Sequence, residues 1–178
     1  RSVTGYLGVM TGGAVTWASR KQPSVSLSST EAEYIAMTEA VREMVWVRRL
    51  LDELGIEHAD TTVLRADNKS AIKIAEGGGS EEKRKHIDVK HHYIKSLIED
   101  KTTVIEWIPT GENLADIFTK SLDRIKFTPL RDRIMGQGHR SIASAHCAHI
   151  ITASAAVASM PGAGSGGAAA PASASVPR

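Results

Sequence analysis

The feature that most constrains this chain is a long amphipathic pattern between residues 30 and 54. Apolar side chains recur there with a 3.6-residue period, from Tyr34 to Leu54, and charged residues fill the positions between them. Gly55 follows as the expected C-cap. A helix of about seven turns with so wide an apolar face needs a sheet to cover.

Segments with β propensity lie on both sides of this helix. Two short apolar runs near the start of the chain are separated by Gly12 and Gly13, which predicts a β-hairpin. Further elements follow in the order strand, helix, helix, strand, helix, at residues 61–66, 71–75, 83–100, 102–108 and 112–121. The pattern predicts an α/β fold in which helices flank a mixed sheet.

After residue 122 the composition changes. Residues 123–140 are basic and weakly patterned, and residues 141–178 are mostly Ala, Ser, Gly and Pro. Such a segment has too little large apolar surface to offset chain entropy, so we expect it to be mostly disordered, although residues 141–158 could form an isolated helix. We therefore predict a folded domain over residues 1–122 and a tail over 123–178.

Charge and composition limit the partners and the cellular location that we expect for this protein. The chain carries a net charge of +2, but residues 1–122 hold 16 Lys and Arg against 18 Asp and Glu, so a phosphate-bearing partner would need local patches or metal ions. The lone Cys147 excludes an internal disulfide and fits a reducing compartment. Without a signal peptide or a run of about 20 apolar residues, we expect no membrane partner and an intracellular location, in a cytoplasmic particle or the nucleus. The first residue is not Met, which suggests a piece of a longer protein.

Three acids stand at places where a ligand site can form. Glu33 lies in the first turn of the main helix, Asp67 at the carboxyl end of a strand, and Asp116 just after the last strand. Ligands gather beyond the carboxyl ends of strands in open α/β sheets. Carboxylates that meet there repel one another unless a cation joins them, and Mg²⁺ prefers such oxygen ligands. Two such ions can activate a water and stabilise the leaving oxygen of a phosphodiester.

The same residues have structural explanations. Ser29 or Thr30 could cap the main helix, with Glu31 and Glu33 placed at the positive end of its dipole. Asp67 could be the N-cap of the next helix, and Asp116 an exposed helix acid.

Three smaller groups of residues also need to be interpreted. Asp88 and His92 have the i, i+4 spacing of a zinc pair but also suit solvated helix positions, and the His146–His149 stretch has no second ligand pair. The basic residues 83–85 suit either a solvated helix start or a phosphate contact.

Several motifs, in order along the chain, resemble the ribonuclease H domain of copia-type retrotransposon Pol polyproteins. They are SSTEAEYIA at residues 28–36, ADNKSAI at 66–72, KHID at 85–88 with HYI at 92–94, and GENLADIFTK at 111–120. SVTGY at residues 2–6 and WASRKQP at 17–23 resemble the second and third strands of that family. The resemblance covers residues 1–122, and the tail has no counterpart.

The resemblance implies a ribonuclease H-like sheet and hydrolysis of the RNA strand of an RNA–DNA hybrid. In the family, four carboxylates hold two Mg²⁺ ions, with Mn²⁺ as an alternative, and the reverse transcriptase is part of the same polyprotein. Glu33, Asp67 and Asp116 are similar to three of the four acids, which leaves Glu31 a capping or outer acid. A further set matches positions that contact the hybrid backbone: Ser29, Thr30 and Asn68.

The first acid of the family has no match. It lies on the family's first strand, which is central in the sheet, and no Asp or Glu precedes Glu31 in this chain. Loss of a central strand leaves buried backbone groups unpaired, at about 1–3 kcal/mol each, and exposes strand edges. We therefore expect a chain that is inactive, and that folds poorly unless another segment fills the gap.

Three hypotheses follow. The chain is a Mg²⁺-dependent nuclease completed by the rest of its polyprotein, a remnant that binds hybrids without cutting them, or a genomic relic without function.

Overall fold

The structure is a computed structural model that describes residues 1–78, 88–136 and 149–156. The chain opens with the predicted hairpin, formed by β1 (Val3–Met10) and β2 (Gly13–Lys21). Its two turn residues have positive φ, +48° at Thr11 and +83° at Gly12, which suits the right-handed twist of the paired strands. The turn is thus Thr11-Gly12, and Gly13 already belongs to β2.

The predicted long helix is confirmed as α1 (Ser29–Glu53). Its N-cap is Ser28, whose side chain accepts from the Glu31 N–H at 3.1 Å, so the prediction of Ser29 or Thr30 as the cap is wrong. The Glu31 carboxylate accepts from the N–H of Leu27 at 2.7 Å and acts as a capping acid, as predicted. At the other end Gly55, with φ +66°, closes the helix through the two bonds of a Schellman motif.

The middle of the chain follows the predicted order. It contains β3 (Thr62–Ala66), α2 (Lys69–Ala75), α3 (Asp88–Glu99) and β4 (Thr103–Trp107). Residues 79–87, with the basic group at 83–85, lie outside the described part. The helix expected over 112–121 is instead two short 3₁₀ turns, Thr110–Glu112 and Leu114–Phe118.

Two regular elements lie within the tail that was predicted to be mostly disordered. Helix α4 (Arg124–Ile134) is capped by Asp123, which accepts from the Lys126 N–H at 2.9 Å. Strand β5 (His149–Ala156) lies where an isolated Ala-rich helix was the alternative. Residues 137–148 and 157–178 lie outside the described ranges.

The five strands form one mixed sheet in the order β2-β1-β5-β3-β4. Strand β5 is central: it runs antiparallel to β1, with Gly5 opposite Ser154, and parallel to β3, with Arg65 opposite Thr152. The mixed α/β sheet with flanking helices is thereby confirmed. The place of the missing central strand is occupied by a segment of the tail.

Apolar side chains cover both faces of the sheet. On one face α1 packs over β1, β5 and β3, and its Tyr34, Met37 and Met44 meet Leu64 and Ile151. On the other face Leu7 packs with Leu114 and with Leu130 of α4. Because α4 completes this second core, the folded unit extends past residue 122.

Candidate functional site at the end of the central strand

Buried polar contacts hold the N-terminus of α1 against β1. Gln22, only 1% exposed, donates from Nε2 to Thr4 Oγ1 at 3.0 Å and to the Ala32 carbonyl at 2.9 Å, and its Oε1 accepts from Ser26 at 2.7 Å. This arrangement fixes the first turn of α1, and Glu33 follows directly after that turn. The Glu33 side chain is 8% exposed, on the helix that packs over β5.

Asp116 makes the closest contacts of the site. It lies in the second 3₁₀ turn and is 4% exposed. Its Oδ1 accepts a hydrogen bond from the Ser154 hydroxyl at 2.8 Å, and its Oδ2 lies 2.6 Å from Nζ of Lys120. Both carboxylate oxygens are therefore engaged by groups of the chain, and a lysine supplies the neutralising charge.

Asp67 is linked to β5, the strand that carries Ser154, through the side-chain amide of Asn113. Asn113 is fully buried and donates from Nδ2 to Asp67 Oδ1 at 3.3 Å and to the Ala153 carbonyl at 2.9 Å. Its Oδ1 caps the 3₁₀ turn by accepting from the Ala115 N–H at 3.1 Å. Asn113 thus joins the end of β3, the central strand and the turn that carries Asp116.

The strand register places Ser154 at the level of the acids. Because Arg65 is opposite Thr152 in the parallel pair, Asp67 and Ser154 each follow two residues later. On its other side Ser154 faces Gly5, where a Cβ would lie 2.5 Å from Thr119 Cγ2 and 2.9 Å from the Ala115 carbonyl. The glycine lets the 3₁₀ turn approach the strand, which brings Asp116 within reach of Ser154.

The residues predicted to contact a substrate backbone lie at the starts of two different helices. Ser29 is exposed and Thr30 half-buried in the first turn of α1. Asn68 caps α2 by accepting from the Ala71 N–H at 3.0 Å, so Asn68, and not Asp67, is the cap of that helix. A hybrid-contacting role for these three stays a prediction.

An unpredicted feature lies beside Asp67. The Lys69 ammonium sits 4.3 Å from the ring centroid of Trp107, a cation–π distance, and the ring is 47% exposed. The Trp107 indole N–H donates to the Asp67 carbonyl at 3.2 Å, which ties this pair to the site.

The acids and their surroundings do not fit a pair of divalent metal ions. Within residues 1–78, 88–136 and 149–156, no three or more His, Cys, Asp and Glu side chains are grouped so that they could hold a metal. The groups that contact Asp116 are the neutral hydroxyl of Ser154 and the positively charged ammonium of Lys120. The possible zinc ligands, Asp88 with His92 and the stretch from His146 to His149, have side chains outside the described part.

Sequence reasoning missed Ser154, Asn113 and Lys120. Asn113 carried a signal, since Asn before a helical turn is a preferred cap. Lys120 is four residues after Asp116, a spacing that favours an ion pair on a helical segment. No local signal marked Ser154, because its role depends on which strands β5 pairs with.

Sequence comparison finds relatives among transposon proteins. The chain is 44% identical over 127 residues to the retrovirus-related Pol polyprotein from transposon TNT 1-94 of Nicotiana tabacum, which covers 71% of this chain and 10% of that protein. It is 32% identical over 126 residues to the corresponding polyprotein from transposon RE2 of Arabidopsis thaliana, covering 71% and 9%. A secreted RxLR effector protein of Plasmopara viticola is 55% identical over 47 residues, which cover 26% of this chain and 33% of the effector.

Homologues of this chain are therefore retrotransposon Pol polyproteins, and the chain spans about a tenth of the length of these curated relatives. No protein-family model and no solved structure matches it. Among the helices described, none is long and apolar enough to cross a membrane.

Proposed function

We propose that this chain is a ribonuclease H-like domain of a copia-type retrotransposon Pol polyprotein that binds RNA–DNA hybrids and has lost hydrolysis. Three observations support the assignment: homology to transposon Pol polyproteins, the in-register motifs, and a mixed sheet with Asp67 at the carboxyl end of β3. The hybrid and the reverse transcriptase of the same polyprotein are the proposed partners, in an intracellular setting.

The observation that carries the loss of hydrolysis is Ser154 at the end of the central strand. A hydroxyl there donates to Asp116, whereas a carboxylate would share a cation with it. The Lys120 ammonium, 2.6 Å from the other oxygen of Asp116, supplies the positive charge that the acid requires. The chain thus neutralises Asp116 with its own side chains, and Mg²⁺ or Mn²⁺ chemistry is not part of this proposal.

Retained binding is supported by the Lys69–Trp107 pair. An exposed aromatic ring with a cation over it offers a stacking surface for a base and a charge for a phosphate. The pair lies next to Asp67, at the sheet end where Ser29 and Thr30 of α1 could add hydroxyl contacts to a sugar–phosphate backbone.

The test combines cleavage and binding with one end-labelled RNA–DNA hybrid. We expect no cleavage above background in Mg²⁺ or Mn²⁺, and fluorescence-anisotropy binding that weakens as salt rises. Trp107→Ala should weaken binding about tenfold, the loss of roughly one stacked base. Exposed Trp46→Ala on α1 is the matched control.

The outcomes separate the two parts of the proposal. Metal-dependent turnover that disappears in Asp67→Asn would show that hydrolysis is intact. Equal affinities of wild type and Trp107→Ala, or no binding at low salt, would contradict the binding role and favour a relic without function.

A further inference from the structure

The central strand is supplied by a segment distant from its neighbours in sequence. Strand β5 follows α4 only after residues 137–148, and it pairs with β1 and β3, which lie more than 80 residues earlier. We call the space between β1 and β3 the strand cleft. It is filled by residues 149–156, a strand that belongs neither to the hairpin nor to the β3–β4 pair.

Recognition in the strand cleft is largely through the backbone. Eight residue pairs join β5 to β1 and four join it to β3. Burial and two hydrogen bonds add to this backbone pairing. Ile151 and Ala153 are buried in the core. The Ala153 carbonyl accepts a hydrogen bond from Asn113, and the Ser154 hydroxyl donates one to Asp116. Any chain carrying this segment meets the same donors and acceptors.

The strand cleft also requires an occupant. Without β5, the facing edges of β1 and β3 lose their ladder partners in the middle of the sheet, and each buried unpaired group costs about 1–3 kcal/mol. Each chain provides one strand cleft and one segment to fill it.

We propose that the strand cleft also accepts residues 149–156 of a second copy of this chain, giving a strand-exchanged dimer in which the partner's Ser154 completes the site at Asp116. The inference does not depend on the proposed function. The second copy is the occupant that the structure fits, because the exchanged segment makes the same ladder and the same polar contacts as in the monomer.

The chain between α4 and β5 is long enough for exchange. Its 12 residues, 137–148, reach up to about 40 Å when extended, more than the roughly 30 Å diameter of a small domain. Since the contacts inside the strand cleft are the same in both forms, the balance depends on the effective concentration of the tethered strand. For short tethers this is in the mM range, so exchange should compete as the protein concentration approaches about 1 mM.

A disulfide across the strand cleft reports which chain fills it. Val3 is opposite Ala156 in the antiparallel pair, a separation that a disulfide can span. The full chain carrying Val3→Cys, Ala156→Cys and Cys147→Ser is refolded at about 10 μM and about 1 mM, oxidised, and separated on a denaturing, non-reducing gel. The control carries Val3→Cys and Cys147→Ser alone and reports random thiol coupling.

We expect an intramolecular crosslink to dominate at the lower concentration. The covalent dimer should increase at least tenfold at the higher concentration, and tagged and untagged chains refolded together should form a mixed dimer. Intramolecular crosslinks alone at both concentrations would exclude the second copy as an occupant. A dimer yield equal to that of the control, or no crosslink at all, would also overturn the proposal.

Discussion

Replacing Ser154 by Asp tests the geometry of the site most directly. The hydroxyl now lies 2.8 Å from Oδ1 of Asp116, so a carboxylate at this position would bring two negative charges together in a buried setting. Two unit charges about 4 Å apart repel by about 4 kcal/mol at an effective dielectric constant near 20. Lys120 offsets part of this repulsion.

The matched variant is Ser154→Ala, which removes the hydrogen bond without adding a charge. A hydrogen bond to a charged acceptor contributes about 1.5–3 kcal/mol, so we expect Ser154→Ala to lose about 2 kcal/mol of unfolding free energy. Ser154→Asp should lose more than Ser154→Ala in EDTA, up to about 6 kcal/mol before the offset from Lys120, because it loses the same bond and adds the repulsion. A divalent cation held by the carboxylates restores about 2.7 kcal/mol at a concentration 100 times its Kd.

Urea denaturation in EDTA and in Mn²⁺ measures both effects. We expect Mn²⁺ to stabilise Ser154→Asp and to leave the wild type and Ser154→Ala unchanged, and calorimetry should detect Mn²⁺ binding to the Asp variant alone. If Ser154→Asp and Ser154→Ala lose equal stability in both buffers, then residue 154 does not face Asp116, and the placement of the central strand is wrong.

Three further predictions concern the framework of the site. Gly5→Ala should cost about 1–3 kcal/mol of unfolding free energy by urea denaturation, because the new Cβ would lie 2.5 Å from Thr119 Cγ2. Adding Thr119→Ser should recover part of this loss, and equal stability of the single and double variants would contradict the contact. Gln22→Leu should cost about 2–3 kcal/mol in the same assay, because it removes the buried amide that donates to Thr4 Oγ1 and to the Ala32 carbonyl; a neutral effect would mean that this amide does not fix α1. Burial raises the pKa of Tyr34 above its ordinary value of 10.0, so the folded state holds the phenolic proton more tightly than the unfolded state. Stability should therefore fall as pH rises above about 10, and less steeply in Tyr34→Phe; parallel pH profiles would refute the shift.

Short-range patterns in the sequence determined most of the separate elements. The period of apolar residues and the glycine at position 55 predicted α1 to within one residue at each end, because helical periodicity and capping depend on neighbours in the chain. The hairpin and the strands β3 and β4 were likewise predicted from local patterns of apolar, β-branched and turn residues. The choice of cap was less certain, because Ser28, Ser29 and Thr30 all carry a suitable hydroxyl and only the backbone geometry selects one.

Only the tertiary structure decided what fills the centre of the sheet. Residues 150–156 are small or β-branched and follow His149 in an Ala-rich tail, and nothing local distinguishes this segment as a central strand. Strand pairing draws its stability from backbone groups on distant neighbours, here β1 and β3, so it cannot be predicted from the segment itself.

The candidate site shows the same division. The sequence indicated Glu33, Asp67 and Asp116 as acids placed at the ends of elements, but spacing along the chain says nothing about distance in space. The fold brings Ser154 and Lys120 to Asp116, and Asn113 to Asp67. An acid surrounded by a hydroxyl and an ammonium differs chemically from one that faces other carboxylates, because its charge is already balanced by the protein.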